Sequence, residues 1–142
     1  MENKYQLGYF SHSIEKFNKA QEQREYDFID RHFNGFVICP NKHIGARGSM
    51  NPYLDILAKV DVVFVSEFEG CVGRGVYQEC FCSMEMKLPV YVLKEKKNTF
   101  YFEVLVSIEI IDKTNCKKYG KLTSKKYSPK KLSLPKKLLN RV

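Results

Sequence analysis

Residues 70–93 read GCVGRGVYQECFCSMEMKLPVYVL, and this stretch decides the fold. Three glycines, Gly70, Gly73 and Gly75, open a segment that predicts a helix to about Leu88, and Pro89 then starts a short apolar strand over 89–93. Another apolar run, 60–65, precedes the glycines. Strand, glycine turn, helix, strand is the βαβ pattern of a parallel sheet. In such sheets the loops after the strands' carboxyl ends build the ligand crevice. Glycines there let backbone approach a ligand closely and leave amides free for an anion at the helix start. Inside the helix, Val76, Tyr77, Cys80, Phe81, Cys82, Met84 and Met86 surround Glu79 with apolar groups. A helix apolar on every side is normally buried. Glu79 is thus a candidate for a partly desolvated carboxylate at a crevice mouth, where pKa values shift and acids do chemistry. The competing reading is a solvent-facing glutamate near the helix start that complements the macrodipole.

Upstream, the run 60–65 is apolar apart from Asp61 and suits a central parallel strand. Asp61 falls at the wrong end of that strand for the crevice and reads as structural. Residues 6–10, QLGYF, predict a first strand, followed by Ser11, His12 and Ser13, of which Ser13 can cap a helix. In 14–33, Phe17, Ala20, Gln21, Arg24, Phe28 and Arg31 keep helical spacing, which predicts a long surface helix on one side of the sheet. Asn34-Gly35 stops it. Residues 36–39, FVIC, predict a second strand, and 42–50 a loop on the crevice side. Asn51 and Pro52 start a short helix that runs to Lys59. Downstream, 95–98 is a charged turn, and 100–111 predicts a fifth strand or an edge hairpin. Beyond it Gly120, Pro129 and Pro135 stand among lysines, with room for one short strand.

A chain of 142 residues suits one domain with a real core, and 44% apolar content with nine Tyr and ten Phe excludes disorder. No apolar run approaches the roughly 20 residues needed to span a bilayer, and MENKYQLGYF lacks signal-peptide architecture. Five cysteines without framework spacing point to a reducing, cytoplasmic setting. No Cys/His spacing suggests a metal site, and no cofactor is implied. Cys39, Cys71, Cys80 and Cys82 read as small core residues and Cys116 as a surface thiol. The net charge of +8 is uneven. Residues 1–112 hold 13 Lys/Arg against 16 Asp/Glu, whereas 113–142 hold 11 Lys/Arg and no acid. The expected organisation is an α/β domain over 1–112 and a basic C-terminal extension over 113–142. Such an extension can meet nucleic acid, an anionic partner or a second subunit.

Three patches carry a family resemblance. They are Gly8-Tyr9-Phe10-Ser11 after the first strand, Asp61 and the apolar residues to Val65, and Gly75-Val76-Tyr77-Gln78-Glu79 followed by Lys87-Leu88-Pro89-Val90. In them the chain resembles the nucleoside 2-deoxyribosyltransferase-like superfamily, including its deoxynucleotide N-hydrolase branch. The resemblance covers about residues 6–93. It implies a flavodoxin-like or Rossmann-like three-layer domain with a mostly parallel sheet of about five strands, assembled as a homodimer or larger. It also implies cleavage of the N-glycosidic bond of a nucleoside or nucleotide. By carry-over Glu79 is the nucleophile and Tyr9 positions it. An oxocarbenium-like centre wants a carboxylate beneath it, and a covalent ester splits one hard displacement into two easier ones. Where the family often has aspartates, this chain has Gly73 and Tyr53, with Asp55 and Asn51 close by as candidate substitutes. Loss of those acids favours a hydrolase over base transfer.

Gly73, Arg74 and Gly75, with Arg47, Lys42 and His43, form a basic, glycine-rich set that suits a phosphate. The alternative is that these cations are ordinary solvated loop residues. Ser11 and Ser13 are candidate phosphate contacts through their hydroxyls at the helix start, or simply caps, and capping is the stronger reading for Ser13. His12 is a candidate donor to the sugar or the departing base, or a helix-start residue without chemistry. Three functional classes follow: an N-glycosidase acting through Glu79, an inactive nucleotide-binding module, and a nucleic-acid-associated protein working through its basic tail. A related reading is NAD cleavage of the TIR type.

Overall fold

The computed structural model describes residues 6–43 and 51–126. It is α/β, with one mixed sheet of seven strands in the order β2-β1-β3-β5-β6-β7-β4. The strands are β1 (Leu7–Ser11), β2 (Phe36–Ile38), β3 (Val62–Ser66), β4 (Cys71–Val72), β5 (Val90–Lys96), β6 (Thr99–Ile110) and β7 (Gly120–Lys126). The helices are α1 (Ala20–His32), α2 (Pro40–His43), α3 (Asn51–Leu57) and α4 (Arg74–Glu85), with a 3-10 turn at Ile14–Lys16. No helix among the described residues is long and apolar enough to cross a membrane.

Strands β2, β1, β3 and β5 are parallel, and β3 is buried along its whole length, as its apolar sequence dictates. The period of two divides the core. Tyr9, Val63, Val65 and Val92 face α3 and α4, where they meet Leu57, Val76 and Cys80. Phe10, Phe64, Tyr91 and Leu93 face α1, where they meet Ile29 and Phe33. Asp61 is structural: its Oδ2 accepts the Leu7 N–H at 2.8 Å and ties the start of β3 to β1.

The second half of the sheet corrects the expectation of a mostly parallel sheet of about five strands. β6 runs antiparallel to β5, β7 to β6, and β4 to β7. The cause of the first reversal is a two-residue turn: Lys97 and Asn98 both have positive φ, the geometry that folds a strand straight back on itself. A second such turn, Glu69-Gly70, joins Phe68 and Cys71 through paired backbone bonds of 2.8 and 2.9 Å. The residues expected as a glycine loop therefore include the short strand β4. Part of the basic stretch beyond 112 lies in the same sheet as β7: Gly120 and Leu122 are buried, and Lys121, Thr123 and Lys125 alternate with inward positions.

Two helices differ from expectation. The segment 14–33 breaks after the 3-10 turn, because Asn18 adopts φ 61° and α1 starts only at Ala20. Lys16 is drawn inward there, donating to Glu25 at 2.9 Å and to Ser66. The α4 helix is not buried all round. Its buried stripe is Val76, Glu79, Cys80 and Ser83, while Phe81 is 51% exposed. Glu79 thus sits on the inward stripe at helical spacing. Of the five free cysteines, Cys39 and Cys80 are buried, Cys71 and Cys82 half-buried, and Cys116 exposed.

Candidate active site

The site forms where the carboxyl end of β1 meets the first two turns of α4. Tyr9 and Ser11 are two apart on β1, so both project to the face that carries α4. Each reaches Glu79. The Tyr9 hydroxyl donates to Oε2 at 2.7 Å and the Ser11 hydroxyl to Oε1 at 2.6 Å. Ser83 holds the helix turn behind them by donating to the Glu79 carbonyl at 2.7 Å. Glu79 itself is 6% exposed.

Among the described residues no cation pairs with this carboxylate. Burial pushes its pKa up to about 7, against the partial opposition of the Ser11 and Tyr9 hydrogen bonds, which favour the ionised form. Tyr9 is raised in turn, first by its own burial and then by the Glu79 charge, so it stays a neutral phenol and a donor. The result is a carboxylate that exchanges its proton near neutrality and whose two oxygens are fixed by neutral hydroxyls.

Glu79 lines a cavity of ≈ 410 Å³, within the range of small-molecule sites, roughly 300–1,000 Å³. Tyr9, Tyr53, Gly73, Arg74, Gly75 and Val76 line it as well, and Ser13, Glu15, Phe17 and Pro40 lie around it. The described structure therefore brings Tyr9, Tyr53, Gly73, Arg74, Gly75 and Glu79 to one cavity, with Ser11 bonded directly to the carboxylate. Asp55 is exposed on α3 and is not part of the lining. Arg47 lies outside the described residues. Lys42 donates to Gln23 at 2.6 Å and lies over the Tyr26 ring, and His43 accepts the Cys39 N–H at 2.8 Å, so neither belongs to the lining.

His12 touches the cavity, but its ring is turned inward. Nδ1 lies 3.0 Å from the Phe10 carbonyl, which can only accept, so Nδ1 carries a proton. Nε2 lies 2.6 Å from Glu22 Oε2, and the ring stacks on Phe10 at 4.0 Å. Burial opposes ionisation of Glu22, but bonds from His12, the Asn18 N–H and Asn41 outweigh it and hold the carboxyl below its ordinary value. Cys39 completes this group, since donor atoms of His12, Glu22 and Cys39 lie within 4.8 Å of one another. Burial pushes the Cys39 thiol up to about 12, so a metal held there would have to displace its proton as well as the one shared by His12 and Glu22.

One wall of the cavity was not expected from the sequence. Cys116 and Lys117, from the loop between β6 and β7, line it together with Glu15. The Cys116 carbonyl accepts the Arg74 N–H at 2.9 Å, and the Tyr119 N–H donates to the Val72 carbonyl at 3.0 Å. Gly73 permits this approach: a Cβ there would stand 2.9 Å from the Cys116 oxygen. The available signal was the turn chemistry of Asp112, Thr114 and Asn115, whose side chains organise the loop. No family model matches the chain, and no curated protein or solved structure matches it either.

Proposed function

We propose that this protein cleaves the N-glycosidic bond of a nucleoside or nucleotide, with Glu79 as nucleophile and hydrolysis favoured over base transfer. The observation that carries the reading is the buried Glu79 carboxylate, 6% exposed, lining a cavity and held by Tyr9 and Ser11 at 2.7 and 2.6 Å. The α/β sheet read as a three-layer Rossmann-like domain, and the likeness of its three sequence patches to the nucleoside 2-deoxyribosyltransferase-like superfamily, point the same way. In the first step a Glu79 oxygen bonds to the anomeric carbon as the C–N bond breaks, and the bonding pair leaves with the base, which takes up a proton. In the second, water attacks the same carbon, the ester bond breaks, and the carboxylate is regenerated with release of the water's proton. Tyr9 and Ser11 position the attacking group rather than react. No metal or redox step enters this scheme.

The test is release of free base from a panel of deoxynucleosides, nucleosides, their 5′-monophosphates and NAD. Release by the wild type that disappears in Glu79→Gln, while binding survives, supports the reading. Release that persists unchanged in Glu79→Gln removes Glu79 from the mechanism. Tight binding without turnover by the wild type would instead identify a nucleotide-binding module, a reading favoured by Gly73 and Tyr53 standing where the family often has acids. Partners follow the same logic. A homodimer is part of the family likeness. Nucleic acid remains the alternative partner for the basic residues beyond 112, and a steep fall of affinity with salt is its signature.

A further inference from the structure

The cavity has one face built by a loop far away in sequence, and that loop brings a cation. We propose that Lys117 makes this site prefer a phosphorylated substrate over the corresponding free nucleoside. The inference rests on the N-glycosidase reading above and names the feature of the substrate that the loop selects.

Four observations support it. Lys117 and Glu15 both line the cavity and pair at 3.2 Å. Both are well exposed, with side chains 76% and 45% accessible, and an ion pair in water is worth little. An incoming phosphate, carrying more charge than a carboxylate, can therefore take the place of Glu15 at the Lys117 ammonium through charge-assisted hydrogen bonds. The backbone that carries Lys117 is already fixed: Asn115 Oδ1 accepts the N–H of both Lys117 and Lys118 at 3.0 Å, and the Cys116 carbonyl is bonded to Arg74. Little ordering is left for substrate binding to accomplish. Finally, Arg74 lines the same cavity and makes no ion pair among the described residues. Two cations thus face the space that Glu79 borders, and Glu15 is the anion a phosphate displaces.

The experiment measures dissociation constants for the four deoxynucleoside 5′-monophosphates and the four deoxynucleosides by calorimetry. The full chain carries Glu79→Gln, so that turnover does not intervene. Lys117→Ala on this background is expected to lower the affinity ratio of monophosphate to nucleoside about tenfold. Lys117→Arg should keep most of the ratio, and Glu15→Gln should raise it by freeing the lysine. Gly73→Ala, which pushes the Cys116 carbonyl away, should lower the ratio without touching a charge. Lys118→Ala serves as the control for general loss of positive charge. A ratio unaltered by Lys117→Ala, or altered equally by Lys118→Ala, overturns the inference. If the wild type still releases base in that case, the N-glycosidase reading stands alone. If it neither releases base nor binds any of the eight compounds, both fall.

Discussion

Of the buried glutamates in this fold, Glu22 and Glu79 are built for opposite ends. Glu22, 1% exposed on α1, is surrounded by donors that include His12 at 2.6 Å, and it stays ionised below the ordinary range. Glu79, 6% exposed on α4, has the hydroxyls of Tyr9 and Ser11 as its side-chain partners among the described residues and is pushed up to about 7. The depth of burial is similar, and the charge of the partner differs. A carboxylate paired with imidazole is a pin that locks the His12 region to α1. A carboxylate held by neutral groups keeps its charge available and lines a cavity. Burial alone does not make an acid reactive; burial without a counter-charge does.

The comparison can be broken most forcefully at Glu79. On the proposed mechanism Glu79→Gln should reduce base release by about 10⁴-fold or more, since that scheme gives the nucleophile no substitute; a quantitative assay of free base checks it. At the other glutamate the effect belongs to stability. Glu22→Gln breaks the buried bond to His12 Nε2 and should cost roughly 3–5 kcal/mol in chemical denaturation. It should leave the pH dependence of base release in its original position. An equal loss of stability in Glu79→Gln and Glu22→Gln would erase the distinction.

Smaller changes sharpen it. Tyr9→Phe removes a hydrogen bond that favours ionised Glu79, so the carboxyl should rise further. The acid limb of the pH–rate profile should move alkaline by about one pH unit, with base release down about tenfold at neutral pH. Stability should carry the same sign. Glu79 has a folded pKa raised above its ordinary 4.5 to about 7. The folded state therefore holds the proton more tightly, and wild-type stability should be greatest below pH 4.5 with respect to this group and decline as pH rises through 7. Glu79→Gln should flatten that decline, by a few kcal/mol at most, in denaturation curves taken between pH 5 and 8. Catalysis through ionised Glu79 rises over the same interval, so activity and stability should move in opposite directions.

How much of this was legible in the sequence follows from the kind of strand involved. The parallel strands β1, β3 and β5 are buried on both faces, and Val62, Val63, Phe64 and Val65 announce such a strand without ambiguity. Glu79 drew attention because its helix reads as apolar on every side, a pattern that the structure narrows to the stripe Val76, Glu79, Cys80 and Ser83; Tyr9 entered through the family resemblance, and the bond from Ser11 to the carboxylate had no mark in the sequence. The antiparallel half was not. In β7, Leu122 points inward between Lys121, Thr123 and Lys125, and the lysines' charge outweighs the alternation when the segment is read as a tail. The loop wall at Cys116 and Lys117 was hidden for the same reason. Its attachment to Arg74 runs through backbone atoms, which leave no mark on residue type beyond the glycine at 73. The break before α1 depends on the left-handed Asn18, a conformation that asparagine tolerates but does not advertise.

Of Glu22 and Glu79, it is Glu79 that is poised to change its charge near neutrality. A carbon-13 titration of the glutamate carboxyl groups, assigned through Glu79→Gln and Glu22→Gln, reads that directly. The expected midpoint is near 7 for Glu79 and below the ordinary carboxylate range for Glu22. A Glu79 midpoint at the ordinary value of 4.5 would contradict it.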